Sequence, residues 1–250
     1  MSTSKDVSTI APVEHDEAMV LATEEWNRLL ALIDSLTSEE WQRPTDCAGW
    51  DVRAVMGHLL GMLALQADPE ERARQLKAAA ALSARNNTLR IDELTGLQVA
   101  EHAALSTAEL RAALHRAVPR GLAARRDLPP EVQRAPYDPE LPGEGMWTVG
   151  YLFDIIHTRD PWLHRVDICR ATGRTLELSP EHDGRIVENV VAEWRGKHAQ
   201  PFELTLTGPA GGRYLAGGGG EQHELDAIEF CRVLSGRAPG TGLLTTAVTF

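Results

Sequence analysis

The sequence predicts an α+β protein: a long all-α part followed by a small α+β domain. Three observations predict it. Apolar residues recur at helical spacing from about residue 14 to 171. The run Phe202-Glu203-Leu204-Thr205-Leu206-Thr207 then alternates apolar and polar, the pattern of a half-buried strand. The turn Gly208-Pro209-Ala210-Gly211-Gly212 follows it and leads into a second strand at Arg213-Tyr214-Leu215-Ala216.

Taken in order, Met1 to Pro12 is polar and reads as a disordered tail. It has no basic end followed by an apolar stretch, so a secretory signal is not expected. From about Glu14 to Leu36, apolar Val20, Leu21, Leu29, Leu30, Leu32, Ile33 and Leu36 oppose Glu24, Glu25 and Arg28, the pattern of an amphipathic helix. Asp51 is placed as the N-cap of a second helix from Val52 to about Ala67. Pro69 starts a third, Ala-, Arg- and Glu-rich stretch. Asn86-Asn87 and Gly96 interrupt it, which fits either one kinked helix or two. Thr107 opens a helix to about Arg125. Residues 128–145 hold five prolines and two glycines and read as a loop, a candidate lid over a small-molecule site.

A helix from about Trp147 to Ala171 follows, with Pro161 inside it. Pro161 removes the bond to the carbonyl of His157 and should bend the helix there. Glu181 to Trp194 reads as a helix, Gly217 to Gly220 as a flexible loop, and Asp226 to Leu234 as a short helix. The residues from Leu243 to Phe250 read as β-rich. The expected domains are therefore 13–175 and 176–250, after a tail of 1–12.

Composition narrows the function. A net charge of −11 over 250 residues argues against nucleic acid, which needs a basic surface to release counterions, and against anionic membranes. No apolar run reaches the roughly 20 residues of a membrane helix. Cys47, Cys169 and Cys231 are few, odd in number and far apart. A disulfide framework is not expected, a thiolate zinc knuckle is excluded, and a reducing cytoplasm fits best.

Two segments carry chemistry. The second helix bears His58 in an apolar setting. The helix around Pro161 bears Asp160 and His164, one turn apart on one face. Two nitrogens and a carboxylate oxygen make three ligands with an open position, as in catalytic rather than structural metal sites. His157 lies within about 60° of the same face, as a fourth ligand, an outer partner or a general base. The residue types alone also fit a solvated Asp160 beside the proline, and buried histidines whose rings bond to carbonyls.

These segments resemble those of a known family. Thr45-x-Cys47-x-Gly49-Trp50-Asp51-Val52-Arg53 with Gly57-His58-Leu59 is similar to the first signature of the mycothiol-dependent maleylpyruvate isomerase family, within the DinB-like group. Thr158-Arg159-Asp160-x-Trp162-x-His164-Arg165-x-Asp167 with Ala171-Thr172-Gly173-Arg174 resembles the second. The segments Leu225 to Arg232 and Leu234-Ser235-Gly236-Arg237 resemble the family's C-terminal domain.

The resemblance implies a DinB-like four-helix bundle holding a divalent metal, usually zinc, through His58, Asp160 and His164. It implies a low-molecular-weight thiol, mycothiol or similar, as cosubstrate, its pKa lowered by the metal. The expected function is isomerisation of, or transfer to, a small electrophile. A non-catalytic metal- and ligand-binding module, or a stress protein that conjugates a toxic electrophile, is the alternative. The chain is expected to be a monomer or homodimer. The family pattern has Glu where this chain has Asp160-Pro161, which changes the reach and aim of the carboxylate.

Trp50 and Trp162, near the ligands in sequence, are candidate pocket walls. Arg237 is a candidate for binding a substrate carboxylate. Cys47 reads as a packing residue, Arg165 and Asp167 as supports of the site.

Overall fold

The computed structural model of the chain describes residues 4–250. In chain order the elements are β1 (Lys5–Asp6), α1 (His15–Ser35), α2 (Val52–Ala67), α3 (Pro69–Asn86), α4 (Arg90–His102), α5 (Thr107–Arg126), α6 (Pro130–Gln133), β2 (Pro136–Tyr137), β3 (Trp147–Thr148) and α7 (Val149–Tyr151). A π-helical stretch, Leu152–Ile156, leads into α8 (His157–Thr172). A second, Pro180–Gly184, leads into α9 (Arg185–His198). Then come β4 (Phe202–Thr207), β5 (Gly212–Ala216), β6 (Glu221–Asp226) and α10 (Ala227–Leu234). No described helix is long and apolar enough to cross a membrane.

The chain divides into two compact units. One is His15–Arg174; the other joins residues 4–14 to Thr175–Phe250.

In the helical unit, α1, α2, α5 and α8 share one core. Trp26, Leu29 and Ile33 of α1, Val55, Met56, Leu59 and Leu63 of α2, Leu110, Leu114 and Val118 of α5, and Ile168 of α8 are buried in it. Each such side chain contributes roughly 1.5–3 kcal/mol by leaving water. An ion pair crosses this interior: Arg165 Nε and Nη2 donate to the Glu25 carboxylate at 2.7 and 3.0 Å. Caps define the helix ends. Asp51 accepts from the Ala54 N–H at 2.8 Å, and Ser106 with Glu109 forms a capping box. Gly173, at φ +69°, closes α8 in the left-handed conformation. Arg174 then donates bidentately to Glu40 at 2.8 Å, tying the end of α8 to the turn after α1.

Helix α4 runs against α2 because α2 carries glycine where they meet. A Cβ built on Gly61 would lie 2.5 Å from Gln98 Cγ, and one on Gly57 would lie 3.3 Å from His102 Cβ. The interrupted middle of the sequence is thus two helices, broken at Asn87 (φ 56°), with Gly96 inside α4.

The other unit is a four-stranded sheet in the order β1-β5-β4-β6. Strand β4 pairs antiparallel with β5 and parallel with β6. The chain passes from β5 to β6 close beside the start of β4, where a Cβ on Gly220 would run into Pro201 O. Phe202, Leu204 and Leu206 form the buried face of β4. Trp194 of α9 packs against Phe202 and Phe230, its ring centroid 4.7 and 5.4 Å from theirs.

Five expectations are corrected. Met1 to Thr3 of the expected tail lie outside the described residues, but β1 pairs parallel with β5, and Ala11 O accepts from Arg185 Nη2 at 3.0 Å. A polar two-residue strand carries no apolar signal. The 128–145 loop contains α6 and β2, and β2 pairs with β3. The helix expected from Trp147 starts instead as β3, α7 and the π-helical stretch. The helix expected from Glu181 begins at Arg185, after the second π-helical stretch. The C-terminal residues form a 3-10 turn (Gly242–Thr245) and an irregular end, since Val248 packs inward and its N–H bonds Leu234 O at 3.0 Å. Strand β6 was missed because Glu221–Asp226 has one apolar residue; its pairing with β4 makes it a strand.

Gly61→Ala should destabilise the protein by about 1–3 kcal/mol through overlap with Gln98. Alanine's advantage of about 1 kcal/mol over glycine in a helix does not offset that. Urea denaturation of both proteins measures the difference.

Candidate metal centre

The site begins with a tight turn. The Thr45 N–H and hydroxyl both bond Trp50 O at 2.9 Å, and the Trp50 N–H returns to Cys47 O at 2.9 Å. Gly49, at φ +81°, is the residue that lets this turn close. The turn sets Cys47 and Trp50 just before α2, and Arg53 in its first turn donates to Ala103 O (2.6 Å) and Leu105 O.

His58 lies two turns into α2, and Asp160 and His164 face it from α8. His58 Nε2 is 3.4 Å from Asp160 Oδ1, and His164 Nε2 is 3.3 Å from the same oxygen. Both histidines are buried. One donor atom from each of the three residues falls within 4.8 Å of the others.

The outer nitrogens are also held. His58 Nδ1 is 2.8 Å from Gln98 Oε1, and His164 Nδ1 is 3.0 Å from Asp167 Oδ2. With each Nδ1–H donated outward, both Nε2 atoms are left facing one carboxylate oxygen. This is how metal-ligating imidazoles are oriented. Zinc bonds of about 2.0–2.1 Å in a tetrahedron place neighbouring donor atoms about 3.3–3.4 Å apart. The two separations match that spacing, so the donor set fits a divalent ion. Cys47 Sγ lies 3.8 Å from His164 Nδ1 and 3.5 Å from Asp167 Oδ2, so the thiol supports the outer side of His164.

Electrostatics follow from the contacts. Burial opposes charge on Asp160, but the His58 and His164 rings hold its carboxyl well below the usual carboxylate range. Burial likewise opposes the cation on His164, but Asp160, Asp167 and Cys47 raise its pKa well above the ordinary value. A metal ion bound here would have to displace that proton.

The Asp-Pro step is accommodated by a residue the sequence did not single out. Pro161 has no N–H for the carbonyl of His157. Arg125, fully buried on α5, supplies one: its Nη1 donates to His157 O at 3.1 Å, and its Nη2 to Thr158 Oγ1 at 2.7 Å. The π-helical stretch precedes this point, the His157 N–H bonding Leu152 O five residues back.

The other expected residues divide. Trp50 borders the cluster, its ring centroid 5.4 Å from His58 and 6.5 Å from His164. Trp162 is fully buried. Two residues from both Asp160 and His164, it projects to another side of α8. His157 is buried against Phe153, ring centroids 5.0 Å apart, and its Nδ1 has no hydrogen-bond partner among the described residues. Arg237 belongs to the other unit, after α10, where its N–H bonds Arg232 O at 2.8 Å. Gln98 and Arg125 carry no motif. They are distant in sequence, and only the fold makes them neighbours of the site.

The model of the family described as mycothiol maleylpyruvate isomerase N-terminal domain matches residues 22–169. The chain belongs to this family. The matched stretch contains His58, Gln98, Arg125, Asp160, His164 and Asp167. Two solved structures are similar in fold to this family member. One is a mycothiol-dependent maleylpyruvate isomerase, with TM-score 0.61, 15% identity, and 94% of this chain and 92% of that chain covered. The other is a histidine-to-alanine mutant of a protein of that name, with TM-score 0.60, 15% identity and the same coverage. No curated protein matches by sequence.

His157 gives a pH test. Burial, then the charge of Arg125, push its pKa down to about 3 from an ordinary 6.5. Between those values the unfolded chain binds a proton the folded chain rejects, so this contribution is present above pH 6.5 and lost as pH falls toward 3. His157→Gln in metal-free protein should flatten the fall of stability with acid by up to ~1.4 kcal/mol per pH unit. Urea titrations across that range measure the two slopes.

Proposed function

We propose that this chain is a metal-dependent enzyme that uses mycothiol to isomerise a small unsaturated acid of the maleylpyruvate type. The observation that carries the reading is the placement of two oriented imidazole nitrogens about one carboxylate oxygen, beside the half-buried Trp50. Family membership and the two isomerase structures of the same fold support it.

His58, Asp160 and His164 would hold the ion. In that place it would act as a Lewis acid that lowers the pKa of a thiol toward neutrality. The three donors carry one negative charge, so a divalent ion among them keeps one positive charge, which a single thiolate balances. Gln98 and Asp167 take the Nδ1 protons and keep both Nε2 atoms aimed inward. Arg125 holds the carbonyl freed by Pro161 and so steadies the turn that carries Asp160. Trp50 offers an apolar wall that keeps water from the thiol sulfur. The reaction is thiol addition to the activated double bond, rotation about the resulting single bond, and loss of the thiol. His157 stays neutral and buried against Phe153.

Metal analysis with an activity assay tests this. Wild-type protein should carry about one zinc-type ion per chain and consume maleylpyruvate only with mycothiol present. The His58→Ala, His164→Ala double variant should retain under about a tenth of both, since open sites of this kind need all three protein ligands. Equal metal in the two proteins would sink the site. Metal uptake should also release protons, and affinity should fall as pH drops, because His164 gives up its proton to bind.

A further inference from the structure

We propose that a hydrogen-bond chain running from the Glu71 carboxylate through the amides of Gln75 and Gln98 fixes which nitrogen of His58 carries the hydrogen, leaving the other free toward the donor cluster and making Gln98 a positioning residue. The inference rests on the metal-site reading above, and its test separates the two.

The links are buried and directional. Gln75 Nε2 donates to Gly61 O at 3.1 Å and to Glu71 Oε1 at 2.9 Å. A backbone carbonyl and an ionised carboxylate can only accept, so this end of Gln75 must be its NH2 group. Gln75 Oε1 therefore faces the other way, where it accepts from Gln98 Nε2 at 2.8 Å. Gln98 Nε2 also meets Met62 Sδ, a weak acceptor, at 3.1 Å. With its NH2 so placed, Gln98 presents Oε1 to His58 Nδ1 at 2.8 Å. An amide oxygen has no proton to give, so Nδ1 must carry the hydrogen. Asp160 Oδ1 also accepts, but it lies 3.4 Å from Nε2 against 2.8 Å from Gln98 Oε1 to Nδ1, so in the neutral ring the hydrogen stays on Nδ1 and Nε2 carries the lone pair.

The polarity resists reversal. Turning Gln98 round would set its oxygen against Gln75 Oε1. Turning Gln75 as well would set an oxygen against Gly61 O and Glu71. Both amides are essentially inaccessible to water, Gln98 at 0% and Gln75 at 1% exposure, so water cannot repair the mismatch. The far end is anchored too. Arg74 clamps Glu71 through Nε at 2.7 Å and Nη2 at 2.6 Å, and grips Glu101 at 2.7 and 2.8 Å. That clamp holds the Glu71 carboxyl down at about 2, so it remains an acceptor at any working pH. Gly61 makes the arrangement possible twice over: its carbonyl takes one bond, and its missing side chain leaves the space that Gln98 occupies.

Zinc affinity, measured by chelator competition, and histidine nitrogen NMR of metal-free protein at a pH where the rings are neutral test the proposal together. Gln98→Leu, which removes the acceptor, should weaken zinc binding by about 10–100-fold. In its spectrum His58 should change from a single Nδ1–H form to a mixture of both tautomers. Gln75→Leu does not touch His58, yet it frees Gln98 to turn and should move both readouts in the same direction by a smaller amount. Gln98→Glu also sets an oxygen against Gln75 Oε1 and should lower stability, but it keeps an acceptor before Nδ1 and should keep the single tautomer. Unchanged tautomer and zinc affinity in both leucine variants would overturn the proposal. So would zinc losses that track only a lower melting temperature, with the tautomer intact. A wild-type protein that binds no zinc but shows the single tautomer refutes the metal reading and leaves the amide chain standing.

Discussion

One carboxylate oxygen, Asp160 Oδ1, lies between two buried imidazole nitrogens, and the helical unit is arranged around that contact. Burial makes each of these groups costly unless it is satisfied on every side. The inner sides face one another. The outer sides need partners from elsewhere, and the fold supplies one for each: Gln98 from α4 for His58, and Asp167 from α8 itself for His164. The helices that carry the donors are held by the same logic. Arg53 fastens the start of α2, Arg174 fastens the end of α8, and Glu25 with Arg165 joins α1 to α8.

The irregular backbone lies where the donors are. Pro161 leaves a carbonyl without its helical partner, in an interior where no water reaches. Arg125 reaches that carbonyl from α5 and donates to it at 3.1 Å. Burial lowers the pKa of this guanidinium to about 10, which still leaves it a cation, with Asp154 the opposing charge that acts on it. The π-helical stretch just ahead of α8 belongs to the same adjustment, since it changes the angular register with which His157 and Asp160 enter the helix. The Asp-Pro step is therefore not a defect in the site. With Asp in place of a longer Glu, the aim of the carboxylate depends on the turn that bears it.

Glycine does parallel work in α2. Gly57 and Gly61 remove the side chains that would keep α4 away, and only a close α4 can deliver Gln98 to His58. The packing of two helices and the hydrogen bonding of His58 thus share one cause.

What the sequence determined alone was local. Helical periodicity and caps placed α1, α2 and α5 to within a residue or so, because amphipathic spacing and an Asp51 N-cap act over one or two turns. Alternation placed β4 for the same reason. That His58, Asp160 and His164 could meet was legible because their types are few and the Asp160–His164 spacing sits inside one helix. Tertiary structure decided the rest. Strands β1 and β6 exist only through their pairing with β5 and β4. The two π-helical stretches depend on what packs against them. Trp162 is near the cluster in sequence but projects to another side of α8, because nearness in sequence is not a shared face. Gln98 and Arg125 could not be found from the sequence, since an ordinary glutamine and arginine acquire a role only when the fold sets an unsatisfied group in front of them. A buried polar atom has to find its partner in space, and that partner can lie anywhere along the chain.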